Sequence, residues 1–365
     1  MTVVDCRSSP IPDGAEHLRK LARIAVEHRI PLFGAFDLTY RCNLNCIHCY
    51  LGPHDGDHET LGPEAGAARI RDLLRQAAEA GCLYVLLSGG EPLLRPDFES
   101  IYRYARSLGL IVTVFTNACL IDARHIEIFR EVPPYLVEVS VYGATRGTFE
   151  KITRVPGSFE RCLRGIGRLV DGGIRTGLKT MIMRSNVQEI PAVEALAKHF
   201  GTGFRLDPVV CPRLDGTPAP LVERVDPRRA VELELAEKER ISSYRKYLER
   251  AAALSPPSAL YECGAGRAAF HIDPGGVLRP CLMVRSLAFD ALAEGFRAAH
   301  ARAGAAISGL RAVRGQPCFE CAKRPVCGYC PGLFELENAS ASIPSGFLCQ
   351  LGTHRLQVLQ GDSSA

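Results

Sequence analysis

The sequence has almost no net charge and no long apolar run. Its 44 basic and 40 acidic side chains are interspersed and leave a formal charge of +4. A basic surface of the kind that binds nucleic acid or an anionic membrane is therefore not expected. No apolar stretch approaches the length of a membrane span, and residues 1–12 lack the apolar segment of a secretory signal. We therefore expect a cytoplasmic protein with neither nucleic-acid nor membrane partners.

Cysteine, in contrast, is abundant. Fifteen cysteines in a cytoplasmic chain of 365 residues favour metal ligation over disulfides. A hydrophobic content of 47% is ample for a packed core, and the length suits about two domains or one large barrel with an appendage. Ten cysteines fall in spaced groups. The other five are expected to be packing thiols: Cys6, Cys82, Cys119, Cys162 and Cys211.

The first cysteine group has the spacing C-x3-C-x2-C and consists of Cys42, Cys46 and Cys49. Soft thiolates suit iron–sulfur clusters, and three of them on one short loop can hold three irons of a cubane. The next cysteine, Cys82, is far along the chain. We therefore expect the fourth iron to be open to a small molecule.

The same loop has two other interpretations, a zinc knuckle and a redox-active C-x2-C pair. A zinc site would need a second pair of ligands, and His54 and His58 are close enough in sequence to supply it. The motif that follows the loop one strand later in the chain helps to distinguish these two interpretations from an iron–sulfur cluster.

Strand-like and helix-like segments alternate through the first two thirds of the chain, after a first helix over 14–29. Apolar strands that are each followed by a covering helix indicate a parallel sheet with right-handed crossovers. The expected strands are 34–39, 83–88, 111–116, 136–142, 177–183 and 204–209, and the expected helices are 63–80, 97–108, 122–131, 158–171 and 187–200. Six such units are fewer than the eight of a complete barrel.

Ligands of such sheets bind where the strands end. The cysteine loop follows the first expected strand, and the run Gly89-Gly90-Glu91-Pro92 follows the second. Two glycines allow a close backbone approach, although this run by itself is an ordinary strand-to-loop turn. Both motifs are therefore expected at one rim of the sheet.

Together, these motifs resemble the signature of the radical S-adenosylmethionine (SAM) superfamily. The resemblance implies an α/β fold, a partial (β/α)6 barrel over 34–211, after a helical segment over 1–33. It also implies a [4Fe-4S] cluster on Cys42, Cys46 and Cys49 whose open iron chelates the amino and carboxylate groups of SAM. An electron from the cluster then cleaves SAM to a 5′-deoxyadenosyl radical.

The resemblance also implies cofactor contacts at other rim positions, each of which has a plain structural alternative in turns, caps or solvated side chains. The GGEP residues would contact the SAM amino group, His48 the adenine, and polar strand-end residues the ribose or carboxylate. These positions are His48, Gly89, Gly90, Glu91, Pro92, Thr116, Asn117 and Ser140. Asp207 is a candidate for moving a proton. Lys179, Arg184 and Arg205 are interpreted mainly as surface charges that could hold a carboxylate.

Residues 212–257 are expected to join two domains through a proline-rich loop and one charged helix over 227–254. A second cysteine array then begins, with the spacing C-x12-G-x4-C, C-x2-C-x5-C-x2-C and a final cysteine. A hairpin with its first strand at 270–272 would present Cys281 on the return strand. By itself the array fits zinc ribbons as well as iron–sulfur clusters.

This array, in a domain over 258–365, resembles the SPASM extension of radical SAM enzymes, which binds two auxiliary iron–sulfur clusters. The resemblance assigns Cys318, Cys321, Cys327 and Cys349 to an outer cluster. It assigns Cys263, Cys281 and Cys330 to an inner one. Residues 264–270 lack the extra cysteine that completes the inner cluster in relatives. The inner cluster would then be open at one iron, or completed by Cys211, Glu262 or substrate.

Enzymes with this pair of domains mostly modify ribosomally made peptides, so the resemblance implies an oxidoreductase acting on a peptide, with a flavodoxin or ferredoxin as electron donor. A haem-biosynthetic tetrapyrrole enzyme is the alternative, and a zinc-binding scaffold is an alternative of another class. Leu282, directly after Cys281, argues against the branch that makes formylglycine, which has aspartate there. The first 33 residues are expected to be too short for the recognition domain of some peptide maturases.

Overall fold

The computed structural model describes residues 14–53, 63–252, 259–311 and 316–361. Cys6 lies outside these ranges, as do His54 and His58, the two zinc ligands considered above. The strands of the described part are β1 (Phe33–Thr39), β2 (Tyr84–Gly89), β3 (Ile111–Thr116), β4 (Leu136–Ser140), β5 (Thr176–Met181), β6 (Gly203–Asp207), β7 (Ala269–Ile272), β8 (Val277–Arg279) and β9 (Phe289–Asp290).

Helices cover the sheet and build most of the C-terminal part. They are α1 (Gly14–His28), α2 (Ala67–Glu79), α3 (Phe98–Ser107), α4 (Ala123–Glu131), α5 (Arg146–Thr153), α6 (Ser158–Asp171), α7 (Ile190–His199), α8 (Pro227–Glu234), α9 (Lys238–Ala252), α10 (Ala291–Glu294), α11 (Phe296–Gly309), α12 (Arg324–Cys327), α13 (Pro331–Asn338) and α14 (Gly346–Gln360).

One sheet organises the described residues, with the strand order β6-β5-β4-β3-β2-β1-β7-β8-β9. Neighbours among β1 to β6 are parallel, which confirms the expected βα units. Strand β7 extends the sheet by pairing parallel to β1, and β8 and β9 follow antiparallel. The expected hairpin is present as β7 and β8. It was not expected to extend the barrel sheet, as it does through the pairing of β7 with β1.

The face of the central strands that the helices cover is apolar, whereas the face towards the barrel interior also carries polar side chains. Val112 and Val114 in β3, and Val137 and Val139 in β4, are completely buried. Side chains of α2, such as Leu74, and of α3, such as Tyr102, pack into the same core. This burial is the main stabilising contribution to such a sheet.

Two predictions about helices were wrong. The single helix expected over 227–254 is two helices, α8 and α9, and the chain turns between them. The Arg240 guanidinium of α9 donates to the Glu234 carbonyl at the end of α8, and the Tyr244 hydroxyl donates to the Glu234 carboxylate. Helix α5 was missed because it is short and its sequence has few apolar residues.

The C-terminal part packs on the end of the barrel through a second core of apolar side chains from α8, α13 and α14, among them Val231, Leu333 and Leu351. A buried ion pair crosses this core, in which Arg355 Nε and Glu234 Oε2 are 2.7 Å apart. A search of the described part for a membrane-crossing helix, one both long and apolar enough, finds no candidate.

Candidate active site

A cavity of about 380 Å³ lies where the parallel strands end. Cys42, Cys46 and Cys49 line one side of it, and inward-facing residues of the strands line the rest. A second cavity, of about 580 Å³, lies near the starts of β4, β5 and β6 and has no cysteine in its wall. The chemistry-bearing side chains thus gather at the first cavity, as expected for parallel sheets.

The cysteine loop is fixed by its backbone. The amide of Asn45 donates to the Thr153 carbonyl and that of Ile47 to the Ile152 carbonyl, both over 3.0 Å. Cys42 Sγ accepts from the Leu44 amide at 3.4 Å and from the Asn117 side chain at 3.8 Å. The end of α5 and the end of β3 therefore hold the loop over the cavity.

The three thiols of the loop are close enough to influence one another. Burial raises the pKa of Cys42 to about 12, and the nearby Cys49 thiol contributes. Burial also raises the pKa of Cys46, with Cys49 and Cys42 as the next causes. Three thiols that disfavour one another's charge form a donor set that suits a cationic metal cluster.

Gly89 and Gly90 let β2 end directly against the cysteine loop. Gly89 has φ = +132°, and a Cβ there would overlap the Thr39 carbonyl oxygen. At Gly90, a Cβ would overlap the Arg41 carbonyl oxygen. The Gly90 amide also donates a hydrogen bond to the Thr39 carbonyl oxygen, over 2.7 Å. Only glycine fits at these positions, which sets where the loop begins.

Glu91 lies behind the cavity wall. Its carboxylate is completely buried and accepts from the Thr116 hydroxyl at 2.8 Å, the Asn117 amide at 2.7 Å and the Leu93 amide at 3.2 Å. Burial raises its pKa to about 7. Pro92 is buried in the short 3-10 turn that follows. In this structure, the Glu91 side chain ties β2 to β3.

The other predicted cofactor positions lie on the cavity wall: His48, Thr116, Asn117 and Ser140. His48 is buried, and its ring contacts that of Tyr142 edge to face, with centroids 4.4 Å apart. The Asn117 side chain donates to Asn43 Oδ1 at 2.8 Å, so it is already engaged with the loop.

Charged residues of β4 to β6 form the far wall. Arg205 pairs with Glu138 at 2.8 Å, and Lys179 Nζ is 3.6 Å from the same carboxylate and 3.0 Å from the Phe115 ring centre. Burial lowers the pKa of Lys179 to about 7. The interpretation of Lys179 as a surface charge was therefore wrong. Asp207 also lines the cavity, with Oδ1 accepting from the Val209 amide.

The structure brings the inner cysteines together. Burial raises the pKa of Cys281 to about 12, with the Cys330 and Cys263 thiols as the next causes. Cys281 follows the β8 strand, Cys330 caps the start of α13, and its Sγ accepts from the Leu333 amide at 3.4 Å. Residues far apart in sequence thus meet at one place beside the cavity.

The outer cysteines form a separate group. Burial raises the pKa of Cys327 to about 11, and Cys349, Cys318 and Cys321 contribute in that order. Burial also raises the pKa of Cys318, and the Arg324 charge opposes this rise. A guanidinium beside four thiols suits an iron–sulfur cluster, because four thiolates outweigh the positive charge of its core.

Cys211 and Glu262, the two side chains considered for the inner cluster, lie in different surroundings. Burial raises the pKa of Cys211 to about 12, with the Asp207 charge as the next cause and the Cys330 thiol as a smaller one. Cys211 and Cys330 both pack against the second core. Glu262 is instead paired with Arg324 at 2.8 Å, beside the outer group.

No three His, Cys, Asp or Glu side chains of the described residues converge closely enough to hold a single metal ion. A cubane is wider than one ion, so its thiolate ligands need not converge. The three cysteine groups fit such clusters by their chemistry and mutual proximity. The ligand roles themselves stay predictions.

Sequence reasoning missed two polar residues of the cavity wall, Asp37 in β1 and His271 in β7. They form a buried pair with 2.9 Å between Asp37 Oδ2 and His271 Nε2. A charged residue inside an otherwise apolar strand is the available signal for Asp37. For His271, no signal existed, because the pairing of β7 with β1 was not predicted.

Comparison with known proteins gives one family match: residues 36–197 match the Radical SAM superfamily. The chain is 38% identical over 159 residues to Fe-coproporphyrin III synthase of Methanosarcina barkeri (strain Fusaro / DSM 804), covering 43% of this chain and 39% of that protein. It is 28% identical over 276 residues to the mycofactocin maturase MftC of Mycobacterium ulcerans (strain Agy99), covering 73% of each. An AdoMet-dependent heme synthase of the same Methanosarcina strain is 34% identical over 173 residues, which cover 47% of this chain. The chain spans less than half the length of the Fe-coproporphyrin III synthase and the heme synthase, 39% and 48%.

Two solved structures share the fold. Streptococcus suis SuiB bound to its precursor peptide SuiA has a TM-score of 0.69 at 17% identity, over 96% of this chain and 84% of SuiB. Native anSMEcpe with bound AdoMet has a TM-score of 0.71 at 14% identity, over 91% of this chain and 98% of that protein.

The matched segment begins in β1, spans the cysteine loop and the GGEP run, and ends in α7, so it contains most of the residues that line the cavity. The cofactors of this family are SAM and a [4Fe-4S] cluster. Residues 36–197 form a radical SAM domain.

Proposed function

We propose that this protein is a radical SAM peptide maturase with two auxiliary iron–sulfur clusters. The observation that carries the proposal is the gathering of three separate cysteine groups, the first of them on the wall of the cavity at the strand ends. When bound, SAM and the cluster on Cys42, Cys46 and Cys49 supply the radical that abstracts hydrogen from an unactivated carbon.

The residues of the chain divide the remaining work. The Gly89–Gly90 backbone and Asn117 position the cysteine loop, and His48 and Ser140 offer surfaces for the cofactor. Lys179 and Arg205 supply positive charge at the far wall, and Asp207 is the proton-transfer candidate. The apolar lining keeps water from the reacting atoms.

Cys318, Cys321, Cys327 and Cys349 hold the outer cluster in this proposal, and Cys263, Cys281 and Cys330 the inner one. Cys211 is the fourth inner ligand, since it lies by Cys330 whereas Glu262 is engaged by Arg324. The loop after β6 is also tied to α13, the helix that Cys330 caps: Arg224 donates to the Val210 carbonyl at 2.9 Å and pairs with Glu337.

Two similarities favour a peptide as the substrate. The match to the mycofactocin maturase extends over 73% of this chain, beyond the length of the barrel. SuiB, whose fold the chain shares, was solved with a precursor peptide. An electron donor of the flavodoxin or ferredoxin type completes the proposal, and location in the cytoplasm stays a prediction.

The test uses any short peptide that is encoded beside the gene for this protein. The reconstituted, chemically reduced enzyme is incubated anaerobically with SAM and this peptide, and the intact mass of the peptide is measured. We expect a mass change that depends on SAM and is absent in Cys42→Ala. An unchanged peptide mass, with active cofactor cleavage, would contradict the peptide assignment.

A tetrapyrrole is the second candidate substrate, because Fe-coproporphyrin III synthase is 38% identical over 159 residues and an AdoMet-dependent heme synthase 34% over 173. Incubation of the same enzyme with iron tetrapyrroles that carry carboxylate side chains distinguishes the two. A SAM-dependent change in the mass of such a tetrapyrrole, with the peptide unchanged, would establish this alternative.

A further inference from the structure

A polar pair on the cavity wall has no part in the function proposed so far. Asp37 and His271 are 4% and 2% exposed and joined by the 2.9 Å contact between Oδ2 and Nε2. The other ring nitrogen of His271, Nδ1, is buried and has no hydrogen-bond partner among the described residues. A buried polar atom without a partner costs free energy unless a ligand satisfies it.

His271 lies between two regions of the site. It lines the cavity that contains Cys42, Cys46 and Cys49, and it also lines an adjoining cavity of about 400 Å³ that reaches Cys281. Leu282 lines both cavities beside it. A substrate that reaches from the first cysteine loop towards the inner cysteines would therefore pass His271.

The hydrogen bond to Asp37 determines which hydrogen bond His271 can still form. A carboxylate only accepts hydrogen bonds, so the imidazole donates to Asp37 from Nε2 and leaves a lone pair on Nδ1. In the neutral imidazole, the hydrogen bond to Asp37 makes the second ring nitrogen a better acceptor. The sheet holds this arrangement, because β7 pairs with β1 in the register Ala35 to His271.

We propose that His271, oriented by Asp37, binds the substrate by accepting a hydrogen bond at Nδ1 from a hydroxyl, thiol or amide N–H group. The substrate class rests on the proposed function, whereas the acceptor site does not. Asp37 is a positioning residue. The Tyr40 hydroxyl, which is buried near Asp37, likewise has no hydrogen-bond partner in the part of the chain that the structure describes.

Imidazole is the probe of the acceptor site. His271→Gly in the reconstituted holoenzyme leaves a ring-sized space next to Asp37, and calorimetry should show one imidazole bound per chain. Wild type and the double variant with Asp37→Asn should bind none. His300→Gly is the matched control. His300 is also buried, and its Nε2 has no hydrogen-bond partner among the described residues, but its ring stacks on Phe296 outside this cavity. A folded His271→Gly protein that binds no imidazole would overturn the proposal.

The role towards substrate is tested with the peptide whose mass wild type changes. Losing one hydrogen bond to a buried group should lower kcat/KM by roughly 10- to 100-fold in His271→Gly, and added imidazole should restore it. His300→Gly, the matched control, should keep the wild-type kcat/KM and gain nothing from added imidazole. Wild-type kcat/KM in this variant would overturn the proposal. If His271→Gly does not fold, His271→Phe keeps a ring without the acceptor and should show the same loss.

The two proposals fail separately. If wild type leaves the peptide unmodified, the proposed function fails, and imidazole binding to His271→Gly still decides whether the acceptor site exists.

Discussion

At the scale of single residues, the sequence shows which side chains can bind a metal cluster, but it does not show how buried a side chain is or which partner it contacts. The spacing of Cys42, Cys46 and Cys49 is local, so one loop carries the whole pattern and could be interpreted before any fold was known. The buried position of Lys179 and the pairing of His271 with Asp37 depend on contacts between strands, which no local pattern encodes. Burial and partners therefore had to come from the structure.

Cys211 gives a prediction at this scale. In a background where Cys42, Cys46 and Cys49 are alanine, the inner cluster should not bind ¹³C-labelled cyanide, because four thiolates leave no iron open. Cys211→Ala should expose one iron and give cyanide coupling in the EPR or ENDOR spectrum.

Cys162→Ala is the control for that experiment, because Cys162 is a completely buried thiol in the core under the barrel sheet. It should leave the cluster spectrum unchanged. Cyanide coupling to the inner cluster while Cys211 is present would show that the cluster is open and that Cys211 is not its ligand.

At the scale of elements, alternation of apolar strands and helices predicted the six parallel strands to within a few residues, because at least one face of most strands is buried under a helix. Pairings that join distant segments were not predicted. Strand β7 is short, and only its register with β1 shows that it extends the barrel sheet. The break between α8 and α9 likewise depends on side chains that meet across the turn.

The end of β2 offers a test of an element. Gly90→Ala should displace the start of the cysteine loop, because its Cβ would overlap the Arg41 and Tyr40 carbonyl oxygens. We expect the reconstituted variant to lose the iron of one cubane, about four atoms per chain. Iron and sulfide analysis after anaerobic reconstitution measures this loss.

Gly147→Ala is the matched control for Gly90→Ala. Gly147 lies in α5, where an added Cβ meets no other atom within 4 Å. Alanine is also the better helix former, so this variant should keep all of its iron and be at least as stable as wild type. Equal iron content in the two variants would show that the close approach at Gly90 does not position the loop.

At the scale of the whole molecule, the fold gathers cysteines from distant parts of the chain into groups, the first at the strand ends and the inner one beside an adjoining cavity. The β7–β8 hairpin contributes to this arrangement twice, since it extends the barrel sheet beside β1 and leads into Cys281. His271 on the same hairpin faces the cavity of the first group. The C-terminal part therefore belongs to the active site as well as to the auxiliary clusters.

The central claim is that the first cysteine group holds a cubane with one iron open to SAM. EPR of the reduced protein, in a background without the auxiliary-cluster cysteines, tests it most directly. We predict a [4Fe-4S] signal that shifts when SAM is added and disappears in Cys42→Ala. A signal that ignores SAM, or that persists without Cys42, would contradict the account.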